Sequence, residues 1–164
     1  MLKDKIKGLP ELKRITLRLK KLGKKIVFTN GCFDLLHLGH VKYLEETKKK
    51  GDILIVGVNS DASMRRLKGS KRPIINQADR MGLIAALEST DFVVVFNEDT
   101  PLKLIKELKP DILAKGADWS AGDIVGNDII MKAGGKVARI KLLKGRSTSG
   151  LIKRIAERFK TEKA

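Results

Sequence analysis

The chain has one cysteine, Cys32, which excludes an intrachain disulfide and a thiolate zinc cluster. Its 4 prolines among 164 residues exclude a collagen-like or proline-rich disordered chain. Aromatic residues make up 4%, too few for the stacking platforms that bind single-stranded nucleic acid. No apolar run approaches the roughly 20 residues that span a bilayer. The start, MLKDKIKGLPELKRI, has neither a long apolar stretch nor a small-residue cleavage site, so the expected location is the cytoplasm, with no membrane partner. Acidic charge is also scarce. Asp+Glu total 19 against 35 Lys+Arg, a net charge of +16, which calls for anionic partners: nucleic acid, an acidic membrane surface or phosphorylated small molecules. The lysine runs at 20–21, 24–25 and 48–50 read as solvated surface.

What is present is a regular alternation. Five short apolar runs begin at Ile26, Ile53, Phe92, Ile112 and Val137, and the second and third are almost continuously apolar, as in parallel strands covered on both faces. Helical patterns lie between them, over residues 41–50, 79–87, 100–108 and 126–133. Thr100 is the expected N-cap of the third, ahead of Pro101. A last helix is expected over 149–159, with Leu151, Ile152, Ile155 and Phe159 inward. Before the first strand, Leu9, Leu12, Ile15, Leu19 and Leu22 form one amphipathic stripe ended by Gly23. Strand–helix–strand repetition predicts an α/β fold with a parallel sheet, and ligands of such sheets bind beyond the carboxyl ends of the strands.

The first loop occupies that place. It runs from Thr29, Asn30, Gly31, Cys32, Phe33 and Asp34 to His37, Gly39 and His40, and it leaves a buried strand to enter a helix. The chain's only two histidines sit here, three residues apart, on one face of a helix start whose unpaired N–H groups suit an anion. Two imidazoles beside that anion can donate to phosphate oxygens. A two-histidine metal site is the rival reading, with Asp34 the one further ligand nearby. Neither a Walker A sequence nor a Gly-x-Gly-x-x-Gly sequence occurs.

The stretch GCFDLLHLGH (31–40) resembles the HxGH signature of the cytidylyltransferase-like nucleotidyltransferases. Arg146-Ser147-Thr148-Ser149 resembles their second signature, a Ser/Thr-rich turn opening the last helix. The segments VNSDASMRRLKG (58–69), RPIINQADRM (72–81), ALESTDFVVVFNEDTP (86–101), PDILAKGADW (110–119) and IVGNDIIMKAGGKV (124–137) follow the order of the adenylyltransferase domain of bacterial ADP-heptose synthases. Cys32, Arg146 and Ala117 depart from residues common in that family.

The resemblance implies a Rossmann-like three-layer sandwich with strand order 3-2-1-4-5 and helices on both faces. Residues 1–23 would be a helix packed on the core, and 24–164 the nucleotidyltransferase domain in its stand-alone form. It implies transfer of AMP from ATP to a sugar 1-phosphate with Mg²⁺ on the phosphates, and a homodimer, with no nucleic acid partner. The ionised acceptor phosphate needs no general base. The implied catalytic residues are His37, His40, Arg80 and Lys42. The nucleotide would be held by Thr29, Asn30, Gly31, Phe33, Asp34, Gly39, Lys115, Gly116, Asp118, Trp119, Arg146, Ser147, Thr148 and Ser149. Lys68, in an expected flexible RLKG loop, would meet the acceptor with Asn59 and Asp61, and Asp34 is the candidate for orienting Mg²⁺ or a phosphate-binding group, or for capping the following turn. A glycerol-3-phosphate cytidylyltransferase and an FMN adenylyltransferase share these signatures and remain alternatives, and a basic nucleic-acid-binding module is the non-enzyme one.

Overall fold

The computed structural model describes residues 2–160. Strands β1 (Ile26–Gly31), β2 (Ile53–Asn59), β3 (Phe92–Phe96), β4 (Ile112–Gly116) and β5 (Lys136–Ile140) form one parallel sheet in the order β3-β2-β1-β4-β5, as expected. The helices are α1 (Leu2–Lys5), α2 (Leu9–Lys21), α3 (Leu38–Lys48), α4 (Asp61–Lys68), α5 (Gln77–Ala86), α6 (Leu102–Leu108), α7 (Asn127–Lys132) and α8 (Thr148–Lys160).

Successive strand residues point to opposite faces, and β1 shows the consequence. Ile26 and Phe28 enter a core with Leu12 of α2, Leu104, Ile105 and Leu108 of α6 and Ile130 of α7. Val27 enters the other core, with Leu44 of α3 and Ile84 and Ala85 of α5. Burying both faces stabilises the sheet by about 1.5–3 kcal/mol for each such side chain, before the entropy of ordering the chain is subtracted.

Carboxylates tie down the amino ends of the strands. At the amino ends, Asp52, Asp111 and Asp91 accept from the N–H groups of Lys25 (2.7 Å), Ile26 (2.8 Å) and Leu54 (2.6 Å). Lys20 and Lys48 pair with Asp111 (3.0 Å) and Asp91 (2.5 Å). These carboxylates are spent far from the carboxyl ends, where the signature residues lie.

Several local expectations change. Helix α3 begins at Leu38, three residues earlier than the pattern suggested, because His37 is the extended N-cap (φ −142°). Helix α6 is capped by Pro101 rather than Thr100. The RLKG stretch (66–69) expected as a flexible loop is the last turn of α4 with its C-cap Gly69; the helix is capped at its start by Ser60, whose hydroxyl accepts from Ser63 N–H at 3.1 Å, so Lys68 ends a helix. Ahead of α2, Ile6 bridges to Val93 and Lys7 N–H donates to Val93 O at 2.9 Å, which extends the β3 edge. Leu12 of α2 is buried, but Leu22, its C-cap, is 66% exposed. On α8, Ile155 and Phe159 are 49% and 65% exposed rather than inward, because no element covers that stripe among the described residues.

Candidate active site

Strand β1 lies between β2 and β4, so its following loop opens where the strand order reverses. The loop is tied down from below: the hydroxyls of Thr29 and Tyr43 share a hydrogen bond of 2.7 Å, and burial pushes the Tyr43 hydroxyl up to about 12. Thr29 therefore anchors α3 to β1 rather than facing a ligand. Phe33 takes a left-handed conformation (φ 44°) and places its ring edge against His40, with centroids 5.4 Å apart. A side chain on Gly31 would press on that ring at 3.1 Å.

His37 and His40 stack with centroids 3.8 Å apart and ring planes 17° from parallel. The Nδ1 atoms of both are buried and have no partner among the described residues. Burial, and then the neighbouring His37, hold His40 down at about 4. Burial also lowers His37, with Arg146 adding to the effect. Two stacked imidazoles cannot both take a proton without an anion beside them, and orphaned buried ring nitrogens mark a place for one.

The second signature meets the first here. A methyl group on Gly39 would lie 2.9 Å from the His37 ring and 3.0 Å from Cβ of Arg146. Residues more than one hundred positions apart thus touch at the first turn of α3. Ser147 caps α8, its hydroxyl accepting from Gly150 N–H at 3.1 Å and its carbonyl from Leu151 N–H at 3.0 Å, with Thr148 and Ser149 in the opening turn. Gly39→Ala is expected to lower kcat/KM at least about 10-fold, since a displacement near 1 Å costs up to about 100-fold. Thermal melting alongside steady-state assay checks this, and wild-type turnover would contradict the fit.

On the β4 side, Lys115 Nζ donates to Asn30 Oδ1 and lies 5.9 Å from the centre of the Trp119 ring. Burial pulls the Lys115 ammonium down to about 8. Trp119 is 48% exposed, and a side chain at Gly116 would collide with the Asp118 carboxylate. Asn30, Lys115, Gly116, Asp118 and Trp119 therefore sit together, as expected of one binding wall.

Other expected residues have different tasks. Asp34 is buried, and its two oxygens accept from Ile74 N–H (2.9 and 3.0 Å), Ile75 N–H (2.9 Å) and Arg72 Nε (2.5 Å). Burial pushes its carboxyl up, but these donors outweigh it and the net shift is downward. With its oxygens so engaged, Asp34 does not fit a metal. No cluster of three or more His, Cys, Asp or Glu suited to a metal occurs among the described residues. Arg80 is fully buried and donates to the carbonyls of Ile75 (3.0 Å), Cys32 and Asn59 (2.8 Å) and to Asp61 (2.8 Å). It braces the loop rather than presenting a free guanidinium. Asn59 donates to Ser63 Oγ at 3.0 Å and is 3% exposed, so it too is structural. Lys42 lies on the outer face of α3, paired with Glu45 at 2.8 Å. Lys68 is exposed and has no carboxylate partner among the described residues.

The neutral histidine predicts a pH dependence of stability. The folded value of His40, about 4, lies below its ordinary 6.5, so below pH 6.5 the unfolded chain binds a proton that the folded one refuses. Stability should fall between pH 6.5 and 4 by on the order of 2–3 kcal/mol. His40→Asn should flatten that part of the melting profile, and an unchanged slope would contradict it. The Asp34 contribution follows the same proton logic in a lower window, and is lost only as pH falls below the ordinary 3.8.

Comparison with known proteins fits this geometry. The family model described as cytidylyltransferase-like matches residues 28–146. The bifunctional protein HldE of Geobacter metallireducens is 52% identical over 158 residues, covering 96% of this chain and 32% of that protein. HldE of Citrifermentans bemidjiense is 53% identical over 156 residues, again with 95% of this chain and 32% of the relative covered. The chain thus spans about a third of the length of these curated relatives. A crystal structure of a lipopolysaccharide core biosynthesis protein from Thermoplasma volcanium superposes with a TM-score of 0.60 at 35% identity, covering 76% of this chain and 100% of that one. With the match running from β1 to the turn before α8, the chain belongs to the cytidylyltransferase-like family and is a nucleotidyltransferase.

Proposed function

We propose that the chain transfers AMP from ATP to D-glycero-β-D-manno-heptose 1-phosphate, giving ADP-heptose for lipopolysaccharide core synthesis. An oxygen of the sugar phosphate attacks the α-phosphorus, the bond from that phosphorus to the bridging oxygen of the β-phosphate breaks, and pyrophosphate leaves with the electron pair. The attacking oxygen is already ionised, so the chain needs no base. It has to align the phosphates and relieve charge that grows on the leaving group.

The observation that carries this reading is the half-buried histidine pair, its Nδ1 atoms buried without a partner among the described residues, beside Arg146. On this reading His37, His40, Arg146 and the Ser147–Ser149 turn hold the triphosphate. Asn30, Gly31, Lys115, Gly116, Asp118 and Trp119 hold the nucleoside. Mg²⁺ enters as a counter-ion of the phosphates rather than on Asp34. The heptose preference is supported by the long resemblance to ADP-heptose synthase adenylyltransferase domains and by the similarity to the HldE proteins.

A pyrophosphate-release assay crossing ATP, CTP and GTP with heptose 1-phosphate, glycerol 3-phosphate and FMN tests it. ATP with heptose 1-phosphate should be the best pair. A best rate with CTP and glycerol 3-phosphate, or with ATP and FMN, would move the chain to one of those activities. Steeply salt-dependent duplex binding without pyrophosphate release would instead support the nucleic-acid reading. The reading includes a homodimer, which light scattering at assay concentration checks: a monomeric mass overturns that part.

A further inference from the structure

We infer that Arg72, braced by Asp34 and Arg80, is the ligand for the acceptor phosphate. This deepens the nucleotidyl-transfer reading and rests on it.

The residue lies in the segment between α4 and α5, which carries no regular structure yet is fixed at several points. Asp34 accepts from Ile74 N–H, Ile75 N–H and Arg72 Nε, with Arg72 at 2.5 Å. Arg80 grips the Ile75 carbonyl at 3.0 Å and holds the Cys32 carbonyl with another nitrogen. A buried carboxylate and a buried guanidinium thus fasten the segment to the exit of β1. The Asp34 bond uses only the Nε of Arg72. Its two terminal nitrogens have no partner among the described residues, and the side chain keeps 17% of its exposure. This is a pre-aimed fork, and a fork of two N–H donors matches a phosphate.

Its surroundings point the same way. Burial pushes the Cys32 thiol up, while Lys68, Arg80 and Arg72 draw it down, so cations from α4, α5 and the joining segment surround that side of the β1 exit. Arg80 is offset by Asp61 and Arg72 by Asp34, which leaves Lys68 as uncompensated positive charge. Arg80 reaches the end of β2 through the Asn59 carbonyl, whereas Lys115 stands on β4 and Arg146 lies with His37 beside the first turn of α3. Two cationic banks on opposite sides of one loop suit a reaction that aligns two phosphates, one leaving and one attacking. With the triphosphate in the histidine bank, as proposed above, the Arg72 bank receives the acceptor.

The test uses the full chain saturated with α,β-methylene-ATP, titrated calorimetrically with heptose 1-phosphate and, separately, with inorganic phosphate. Arg72→Gln should weaken both at least 10-fold while affinity for the ATP analogue stays within threefold. Arg72→Lys should recover only part, since one ammonium cannot hold Asp34 and also fork a phosphate. Arg66→Gln, at an exposed pair with Asp99, serves as control and should match wild type. In turnover, the acceptor KM should rise at least 10-fold with the ATP KM within threefold. Unchanged affinity for both probes in a folded Arg72→Gln overturns the inference, as does equal loss of analogue affinity, which would mark a purely structural brace. If Arg72→Gln does not fold, Arg72→Lys decides: wild-type acceptor affinity there overturns it. Wild type binding phosphate but not heptose 1-phosphate would reject the heptose assignment alone and leave the phosphate titration to judge Arg72. Binding of neither probe rejects both.

Discussion

Replacing His40 with alanine is expected to lower kcat by on the order of 100-fold or more while the chain stays folded, since loss of one transition-state donor costs about that much. The reason lies in the state of the ring. His40 is held neutral, at about 4, and its Nδ1 is buried without a partner. That arrangement is unfavourable in the empty protein and becomes favourable when a polyphosphate arrives. As pyrophosphate separates, negative charge grows on the leaving oxygens, so the interaction strengthens along the reaction and appears in kcat rather than only in KM. The lost ring also removes an edge contact with Phe33 and a stack with His37, which lowers stability modestly. Melting and steady-state kinetics on the same sample separate the two effects. Near-normal kcat would remove His40 from the chemistry.

Replacing Asp34 with alanine should have the largest effect on stability. Its carboxylate is 1% exposed and satisfies two backbone N–H groups and one guanidinium. Removing one partner of a buried ion pair costs about 3–5 kcal/mol, because the other charge is left without compensation. Unpaired N–H groups at Ile74 and Ile75 add to it, although water reaching the cavity offsets part. For a domain of this size the expected fall in Tm is on the order of 10 °C. Calorimetric melting at pH 7 measures it. A fall of only 1–2 °C would mean that the segment 72–76 is held by something other than this carboxylate. Asp34→Asn keeps the shape and should lose less.

The sheet was readable because its signals are local. Ile53–Asn59 and Phe92–Phe96 are nearly unbroken apolar runs, and parallel strands buried on both faces have that composition. The nucleotide signatures were readable because His37, Gly39 and His40 stand in one turn. What escaped was decided by tertiary contacts. Helix α4 contains Asp61, Arg65, Arg66 and Lys68, a polar run that reads as loop until Ser63 and Met64 are seen buried against the sheet. Arg80, expected as a catalytic residue, braces the loop instead, because an arginine in a sequence gives no sign of whether its guanidinium faces ligand or four protein acceptors. Asp34 is undecided in the sequence between orienting a metal, orienting a phosphate-binding group and capping a turn for the same reason. The one signal that could have identified Arg72 is its place in RPIINQADRM beside Arg80, where two arginines sit close together in an otherwise apolar and amide-rich stretch. The inward face assigned to α8 failed because amphipathicity states that a stripe can be buried, not that a neighbour is there to bury it.

Residues from the first helix turn and from the turn before α8 are proposed to hold one triphosphate together. A double-mutant cycle tests it most directly, with calorimetric affinity for α,β-methylene-ATP measured in wild type, His40→Ala, Arg146→Ala and the combined variant. Each single change should weaken binding at least about 10-fold, and the combination should fall short of the product, a coupling of about 1 kcal/mol or more. Wild-type affinity in Arg146→Ala, or two effects that simply multiply, would show that the two signatures do not share a ligand.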